Sequence, residues 1–325
     1  MTTLLILTLT LVLVAEFING WTDAPNAIAT VVATRVLSPR VAVPLAVVLN
    51  TLGAMAGTAV AVTIGKGIVN PSFITLPAIC AAMGSIIIWG CFAAKVGLPV
   101  SKSHALLAGI AGAGIAGGGF EALMWDGWKL VVIGMVSSLI LGFIGSFVLG
   151  KCIITFAGNM RPTPAKRCFD YLQIFSASGM AFSHGMNDGQ KFMGVFVLVL
   201  VLGGTAQGFE IPLWVILICA ATMGLGTSFG GWRIIKTIGM KMVRITSWQG
   251  FAAETTASLI IIGASTLGIP LSTTHTITSA IAGSAASKRT NDVRWEILGK
   301  IVRAWIFTFP FCGLFAFFAA WLTKI

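Results

Sequence analysis

Two segments of the chain repeat one another at a fixed offset of 171 residues. The first reads GLPVSKSHALLAGIAGAGIA (97–116) and the second reads GIPLSTTHTITSAIAGSAAS (268–287). Both contain a Gly-x-Pro break, a serine two residues after the proline and a histidine three residues after that serine. Because glycine and proline interrupt helices, each copy predicts a broken helix followed by an apolar helical run. A broken helix that occurs twice in an apolar chain is typical of secondary transporters, whose site lies where the repeats meet.

The composition is that of a polytopic membrane protein. Of 325 residues, 57% are hydrophobic and 10% are charged, whereas a soluble domain of this length carries about 25% charged residues. The apolar segments 171–184 and 192–208 are counted separately, and the short segments 104–118 and 275–286 fall below the roughly 20 residues of a simple span. We therefore expect an all-α fold of two inverted repeats with broken helices and re-entrant hairpins, in about 10–12 membrane segments.

A second pair of motifs defines the two halves. FINGWTDAPNA (17–27) aligns with FSHGMNDGQKF (182–192) at an offset of 165, and the two share a phenylalanine, a glycine and an aspartate. We expect an N-terminal transmembrane repeat over residues 1–157 and a C-terminal one over residues 171–325. The stretch between them, 158–170, contains two prolines and several basic residues, which predicts a cytoplasmic linker.

Lysine and arginine are distributed unequally. Residues 1–150 hold six of them and residues 151–325 hold fifteen, clustered at 151–167, 233–244 and 288–303. The positive-inside rule predicts that these clusters face the cytoplasm of a multi-pass plasma-membrane protein and contact membrane lipid headgroups. A nucleic-acid partner would need a solvated basic domain, and no segment is long enough for one. The six cysteines lack metal-ligand spacing, so we expect no cofactor.

Four carboxylates lie in or beside apolar runs: Glu16, Asp23, Asp188 and Glu254. A carboxylate at the membrane centre costs roughly 2.5–3.5 kcal/mol, so such residues usually face a cavity, pair with another group or bind a cation. Asp23 and Asp188 are equivalent in the repeat and would repel one another unless a cation or proton lies between them. They are candidates for Na⁺ or H⁺ coupling, with a structural pair held by amide donors as the alternative. Glu254 has no equivalent in the first half and is predicted to tune one cation site or a gate, whereas Glu16 is the weakest candidate.

Polar side chains surround the two aspartates. The amides among them are Asn26, Asn187 and Gln190. An amide can bind a cation through its oxygen or an anion through its NH₂ group. Lys191 is placed to balance Asp188, either at a substrate site or in a plain ion pair. Pro25 predicts a break in the first helix, with backbone carbonyls left as further cation ligands.

Hydroxyl side chains follow each Gly-x-Pro break: Ser101 and Ser103 in the first copy, and Ser272, Thr273 and Thr274 in the second. These are positions where hydroxyls cap helices, and a helix N-terminus with free N–H groups is an anion site. Two such N-termini that meet would bind a small tetrahedral oxyanion, while ordinary capping is the alternative. We expect His104 and His275 to orient the hairpins rather than to relay protons.

Five motifs together resemble those of the inorganic phosphate transporter family: GWTDAPNA (20–27), GLPVSKSH (97–104), SHGMNDGQK (183–191), GGWRIIKTIG (230–239) and GIPLSTTH (268–275). The resemblance covers nearly the whole chain. Three features depart from the family pattern, one of which is Met83 at the first-half position equivalent to Glu254. Thr22 stands where the first motif usually has asparagine, and Lys102 interrupts the first hydroxyl cluster.

The resemblance implies a role for each group of polar residues. Phosphate would be bound by the hydroxyls and two of the amides: Ser101, Ser103, Ser272, Thr273, Thr274, Asn187 and Gln190. The coupling cation would be bound near the carboxylates: Asp23, Asn26, Asp188 and Glu254. Na⁺, if it is the coupled ion, would be held by Asp23 and Asp188. The resemblance also implies a homodimer.

The function expected from these observations is import of inorganic phosphate by symport with Na⁺ or H⁺ through alternating access. A sulfate permease of the same family is the alternative substrate. Phosphate at pH 7 keeps a proton that it can donate to a site carboxylate, and sulfate does not, which favours phosphate. An anion channel is the alternative from another class, but channels line their pores with fixed polar rings rather than duplicated broken hairpins. The sequence contains no nucleophile–base arrangement that would indicate an enzyme.

Overall fold

The computed structural model describes residues 2–323, and this part of the chain is α-helical without a β-strand. Its thirteen helices are α1 (Thr3–Asp23), α2 (Pro25–Ala33), α3 (Pro39–Ala54), α4 (Ala59–Gly67), α5 (Leu76–Val96), α6 (Lys102–Gly118), α7 (Trp125–Ala157), α8 (Pro162–Leu202), α9 (Leu213–Ser228), α10 (Trp232–Lys236), α11 (Ser247–Thr266), α12 (Thr273–Lys288) and α13 (Trp295–Leu322). A π-helical turn, Thr237–Met242, follows α10. The predicted all-α class is confirmed.

Six helical segments in residues 2–323 are long and apolar enough to cross a membrane: Thr3–Ala33, Leu76–Val96, Lys102–Ala122, Trp125–Ala157, Pro162–Leu202 and Trp295–Leu322. Two bent pairs raise the number to eight if each pair is one span. The bends are 66° between α3 and α4 and 62° between α9 and the segment that begins with α10. The protein is therefore a multi-pass membrane protein.

This number is smaller than the expected total of about 10–12 segments for two reasons. Neither α11 nor α12 is among the candidate spans, and α8 is one helix where two apolar segments were expected. The apolar segments 171–184 and 192–208 are joined by the polar residues 183–191, and α8 continues through them to Leu202. The expectation of two separate segments here is therefore wrong. Hydropathy measures preference for lipid, but residues 183–191 of α8 are buried against other helices rather than exposed to lipid.

The interruption at Pro25 is confined to one residue. Ala24 keeps right-handed helical backbone angles, with φ −54° and ψ −30°, and α2 begins directly after it. Pro25 has no N–H, so the carbonyl of Trp21 lacks its usual helical donor. The chain direction nevertheless continues from α1 into α2 as one membrane-spanning segment.

Glycine and serine build the two hairpins in the same way. Gly97 ends α5 and Gly268 follows α11, with left-handed φ angles of 75° and 69° that favour glycine. After the following proline, Ser101 caps α6 and Ser272 caps α12. In each cap the serine hydroxyl accepts the backbone N–H of the histidine three residues later at 3.2 Å. The α5–α6 and α11–α12 hairpins thus present two capped helix N-termini.

Helices of each sequence half pack against helices of the other half. α1 packs on α9 and α3 packs on α8, while α6 packs on α13 and α7 on α12. At one of these contacts a Cβ on Gly185 would lie 2.7 Å from Cα of Asn50, so the helices meet at backbone distance. Both large apolar cores combine residues from the two halves. Residues 158–161 connect α7 to α8, and the rest of the segment predicted as a linker forms the start of α8.

The basic clusters lie close to one another. Lys151, Lys166 and Lys288 line one surface cavity of about 700 Å³, which places clusters from both sides of the predicted linker together. The backbone N–H of Arg294 donates to the carbonyl of Met242 at 3.1 Å, which adds the remaining cluster. One end of the molecule therefore collects the positive charge, as the positive-inside rule requires of a cytoplasmic face.

Candidate functional site

The two capped helix N-termini touch one another. The hydroxyl of Ser272 donates to the hydroxyl of Ser101 at 2.9 Å, and both side chains are buried. The first turns of two helices meet here, and helix N-termini carry partial positive charge. The junction of α6 and α12 is therefore an electropositive, hydroxyl-rich point inside the protein.

The two histidines also touch. The ring centroids of His104 and His275 are 4.3 Å apart in an edge-to-face arrangement, and His275 lies 3.8 Å from the ring of Trp305. Their ring nitrogens have no hydrogen-bond partner among residues 2–323. The histidines thus pack the hairpins against each other and against α13, one turn below the cap serines.

Asp188 on α8 lies beside the N-terminus of α12. Its Oδ1 is 2.5 Å from Nζ of Lys191, and its Oδ2 accepts the hydroxyl of Thr273 at 3.0 Å. Nε2 of His184 is 3.3 Å from the same Oδ2. The carboxylate therefore has a positive partner on its own helix and a hydroxyl donor on the hairpin.

Lys191 connects Asp188 to both hairpins. Besides the carboxylate, its Nζ donates to the hydroxyl of Ser103 at 2.6 Å and to the backbone carbonyl of Leu271 at 2.7 Å. An ammonium group has three donors. All three are used, so Lys191 holds the α6 and α12 hairpins in one arrangement.

Asp23 on α1 has the corresponding place beside α6. Its Oδ1 is 3.3 Å from Nζ of Lys102, and its Oδ2 accepts the hydroxyl of Thr274 at 3.3 Å. The amide of Asn26 donates to the hydroxyl of Thr274 at 2.8 Å. Each repeat-related aspartate thus contacts a hairpin N-terminus and has a lysine of its own.

Three amide atoms near these groups are buried and have no hydrogen-bond partner within the described residues: Oδ1 of Asn26, Oδ1 of Asn187 and Nε2 of Gln190. The opposite end of each amide is fixed. Asn187 donates to the hydroxyl of Ser265 at 2.8 Å, and Gln190 accepts the backbone N–H of Val60 at 2.9 Å. Oriented amides with open donors and acceptors are suited to binding an ion.

Glu254 belongs to a second buried cluster. The hydroxyls of Thr30 and Ser176 donate to its two carboxylate oxygens, and Nε2 of Gln173 lies 3.4 Å from one of them. The side chain is fully buried, and it forms no ion pair in the part of the chain that the structure describes. Thr30 lies one helical turn after Asn26 on α2, so one helix contacts both clusters.

Comparison with known proteins gives the family. A model of the phosphate transporter family matches residues 19–166 and 155–316, which together span both halves. The chain belongs to the phosphate transporter family. A probable low-affinity inorganic phosphate transporter of Rhizobium meliloti (strain 1021) is 41% identical to it over 310 residues, which cover 94% of this chain and 93% of that one. The one from Bacillus subtilis (strain 168) is 40% identical over 317 residues, with 94% of each chain covered.

A solved structure, described as the sodium-dependent phosphate transporter, has the same fold as this family member. The TM-score is 0.91 at 25% sequence identity, and the similarity covers 99% of both chains. The family resemblance expected from the five sequence motifs is confirmed. The matched relatives are transporters rather than enzymes.

Two features of the site in this phosphate transporter family member do not follow from the sequence motifs. Lys102 departs from the hydroxyl pattern of the hairpin, but in the structure it is the partner of Asp23. The hydroxyls of Thr30 and Ser176 were not connected with Glu254, which they contact. For Lys102 a signal existed, because a lysine in an apolar run needs a nearby carboxylate. The Glu254 contacts come from distant helices and leave no pattern in the sequence.

Proposed function

We propose that this chain imports inorganic phosphate by alternating access, in symport with a cation that is Na⁺ or H⁺. The observation that carries the proposal is the hydrogen bond between Ser101 and Ser272, which joins two helix N-termini inside a membrane protein of the phosphate transporter family. Helix N-termini with hydroxyl side chains bind oxyanions through backbone N–H groups and the helix dipole. The names of the relatives support phosphate as that oxyanion.

The proposed phosphate ligands are the hydroxyls at the two N-termini together with two amides: Ser101, Ser103, Ser272, Thr273, Thr274, Asn187 and Gln190. In the observed structure several of these hydroxyls bond to each other or to aspartates, as Ser272 does to Ser101 and Thr273 to Asp188. When phosphate binds, its oxygens would accept hydrogen bonds from the two serine hydroxyls in place of the bond between them. A protonated phosphate oxygen would donate to an aspartate, which sulfate has no proton to do.

Burial of the ligands supports alternating access. The hydroxyls of this set are at most 3% exposed, so phosphate reaches them only after the helices move. In the proposal the repeats 1–157 and 171–325 have inverted topology, with residues 158–170 as the cytoplasmic connection. Helices exchanged between halves move together, and each conformation opens the hairpin junction to one side. Contact with lipid headgroups at the basic end and assembly as a homodimer complete the proposal.

A cation that balances the two aspartates would favour phosphate binding at the hairpin junction. Asp23 and Asp188 both contact a hairpin N-terminus, and an unbalanced carboxylate there would repel phosphate. A cation, supplied by solution or by the protein, makes the junction favourable for an anion. Coupling further requires that the transported cation bind one conformation more tightly than the other. Glu254, which has hydroxyl partners but no ammonium partner among residues 2–323, is the candidate carboxylate for such a cation.

The test is uptake of labelled phosphate into proteoliposomes that contain the purified chain. Separate samples receive an inward Na⁺ gradient, an inward H⁺ gradient or no gradient, and each is repeated with excess unlabelled sulfate. Accumulation above the external concentration in one gradient, unaffected by sulfate, is the expected result. Uptake that only equilibrates would indicate a channel, and loss of uptake with sulfate would contradict the proposed selectivity.

A further inference from the structure

Each aspartate at the hairpin junction has one lysine ammonium against it. The four side chains are no more than 3% exposed, so these are buried ion pairs rather than surface contacts. We propose that Lys102 and Lys191 occupy the positions that a coupling Na⁺ would take at Asp23 and Asp188, so that phosphate binding and exchange at the hairpin junction do not need Na⁺. This inference rests on the proposed function. It adds that Na⁺ is not needed at the hairpin junction.

The two lysines reach their aspartates from positions that the repeat does not relate. At the offset of 171, the residue equivalent to Lys102 is Thr273, which gives Asp188 a hydroxyl. At the offset of 165, the residue equivalent to Lys191 is Asn26, which contacts Thr274 instead of Asp23. Inheritance of one duplicated ion pair therefore does not explain the arrangement. Each half has acquired one ammonium for one carboxylate by a different route, as expected if a single positive charge is required at both places.

The geometry leaves a second cation no favourable place beside either carboxylate. Lys191 fills its three donors with Asp188, the hydroxyl of Ser103 and the carbonyl of Leu271, and these same oxygens would be Na⁺ ligands. A Na⁺ there would also lie next to an ammonium of the same charge and be repelled. The ammonium thus uses both the oxygen ligands and the charge that a Na⁺ site would offer.

The position of Lys102 is built into the packing of α5. A Cβ placed on Gly90 would lie 3.0 Å from Cε of Lys102, so the absence of a side chain at Gly90 makes room for the lysine stem. The stem crosses this apolar contact and ends at Asp23. Beside Asp23, Oδ1 of Asn26 is buried and has no partner within residues 2–323. If Lys102 were shortened, Asp23, Asn26 and Thr274 would surround the space with oxygen atoms.

The experiment is phosphate exchange, which does not depend on which gradient drives uptake. Proteoliposomes loaded with unlabelled phosphate are placed in labelled phosphate, in either NaCl or choline chloride at the same pH. Wild type should exchange at equal rates in the two salts. Lys102→Thr, which copies the residue of the other repeat, should exchange about tenfold faster in NaCl than in choline chloride. The matched control is Lys129→Thr, which removes the exposed partner of Asp126 and should behave as wild type.

Wild-type exchange that requires Na⁺ would overturn the inference and leave the proposed function in place. A folded Lys102→Thr protein with the same rate in both salts would also contradict it, because a purely structural ion pair predicts no gain of Na⁺ dependence. Failure of wild type to exchange in either salt would instead contradict the proposed function.

A second measurement tests the inference through Na⁺ binding alone, without transport. The Tm of the purified protein is measured in NaCl and in choline chloride at equal ionic strength, since an ion that binds the folded state raises Tm. An equal Tm for wild type, with a Na⁺-specific rise for Lys102→Thr, supports the inference. A Na⁺-specific rise for wild type that remains in Glu254→Gln overturns it, whereas a rise that Glu254→Gln abolishes assigns the Na⁺ to Glu254 and supports the inference.

Discussion

Ser272 donates a hydrogen bond to Ser101 at 2.9 Å, and the two residues are 171 positions apart, which is the offset of the repeat itself. His104 and His275, separated by the same offset, touch through their rings. When equivalent residues of two repeats contact each other, the axis that relates the repeats passes between them. The hairpin junction is therefore a point of the molecule where the two repeats meet, and substrate sites of secondary transporters lie at such repeat interfaces.

We predict that Ser272→Ala lowers the stability of the purified protein by about 1 kcal/mol, because α12 loses its N-cap. The hydroxyl accepts the N–H of His275 and donates to Ser101, and alanine does neither. Chemical or thermal unfolding of the detergent-solubilised protein measures the change. Thr222→Ala is the control, since its exposed hydroxyl only bonds the carbonyl four residues earlier. Equal losses in both variants would contradict a special role for the cap.

We predict that Asp188→Asn destabilises the protein by about 3–5 kcal/mol, because it leaves the ammonium of Lys191 buried without a counter-charge. The double variant Asp188→Asn with Lys191→Met should recover part of this loss. A double-mutant cycle on unfolding free energies measures the coupling between the two residues. Additive effects would show that the 2.5 Å ion pair is not formed in the protein.

We predict that Glu254→Gln separates phosphate exchange from accumulation. Glutamine keeps an oxygen that accepts from Thr30 or Ser176, but it cannot carry a charge or bind a proton as a carboxylate does. Exchange in proteoliposomes should persist, while uptake driven by the effective ion gradient should stop at equilibrium. Glu296→Gln, in an exposed pair with Lys300, is the matched control and should accumulate phosphate normally. Accumulation by Glu254→Gln at the wild-type level would remove Glu254 from the coupling.

We predict that Gly185→Ala costs about 1–3 kcal/mol of stability, as overpacking does in a filled core. The new Cβ would lie 2.7 Å from Cα of Asn50. Because the contact is with backbone atoms, no flexible side chain can move aside to relieve it. Gly84→Ala is the control within a helix, because nothing lies within 4 Å of a Cβ there. The control should be neutral or more stable, since alanine favours helix over glycine. A neutral Gly185→Ala would contradict the close contact between α3 and α8.

Some of this structure follows from the sequence and some does not. The Gly-x-Pro breaks and the serines behind them predict the hairpins, because both signals act within a few residues of chain. The continuity of α8 through residues 183–191 was not predicted, since hydropathy alone does not reveal which polar residues are buried between helices. The roles predicted for individual phosphate and cation ligands remain predictions.

The pairing of Lys102 with Asp23 was also not predicted, for a different reason. The residues are 79 positions apart and lie on α6 and α1, so only the packing of the two helices brings them within 3.3 Å. The repeat even favours a hydroxyl at position 102, because Thr273 is the equivalent residue. A residue that breaks the internal symmetry cannot be interpreted from its equivalent, and its function depends on the contact it makes.

The most direct test of the hairpin junction as the phosphate site is equilibrium binding of labelled phosphate to purified wild type and to the double variant Ser101→Ala with Ser272→Ala. Both proteins are first shown to be folded and monodisperse. We predict saturable binding to wild type that excess sulfate does not displace, and affinity at least about tenfold weaker in the double variant, the equivalent of about 1.4 kcal/mol. Equal phosphate affinity in the two folded proteins would place the phosphate site elsewhere and contradict the proposed function of the junction.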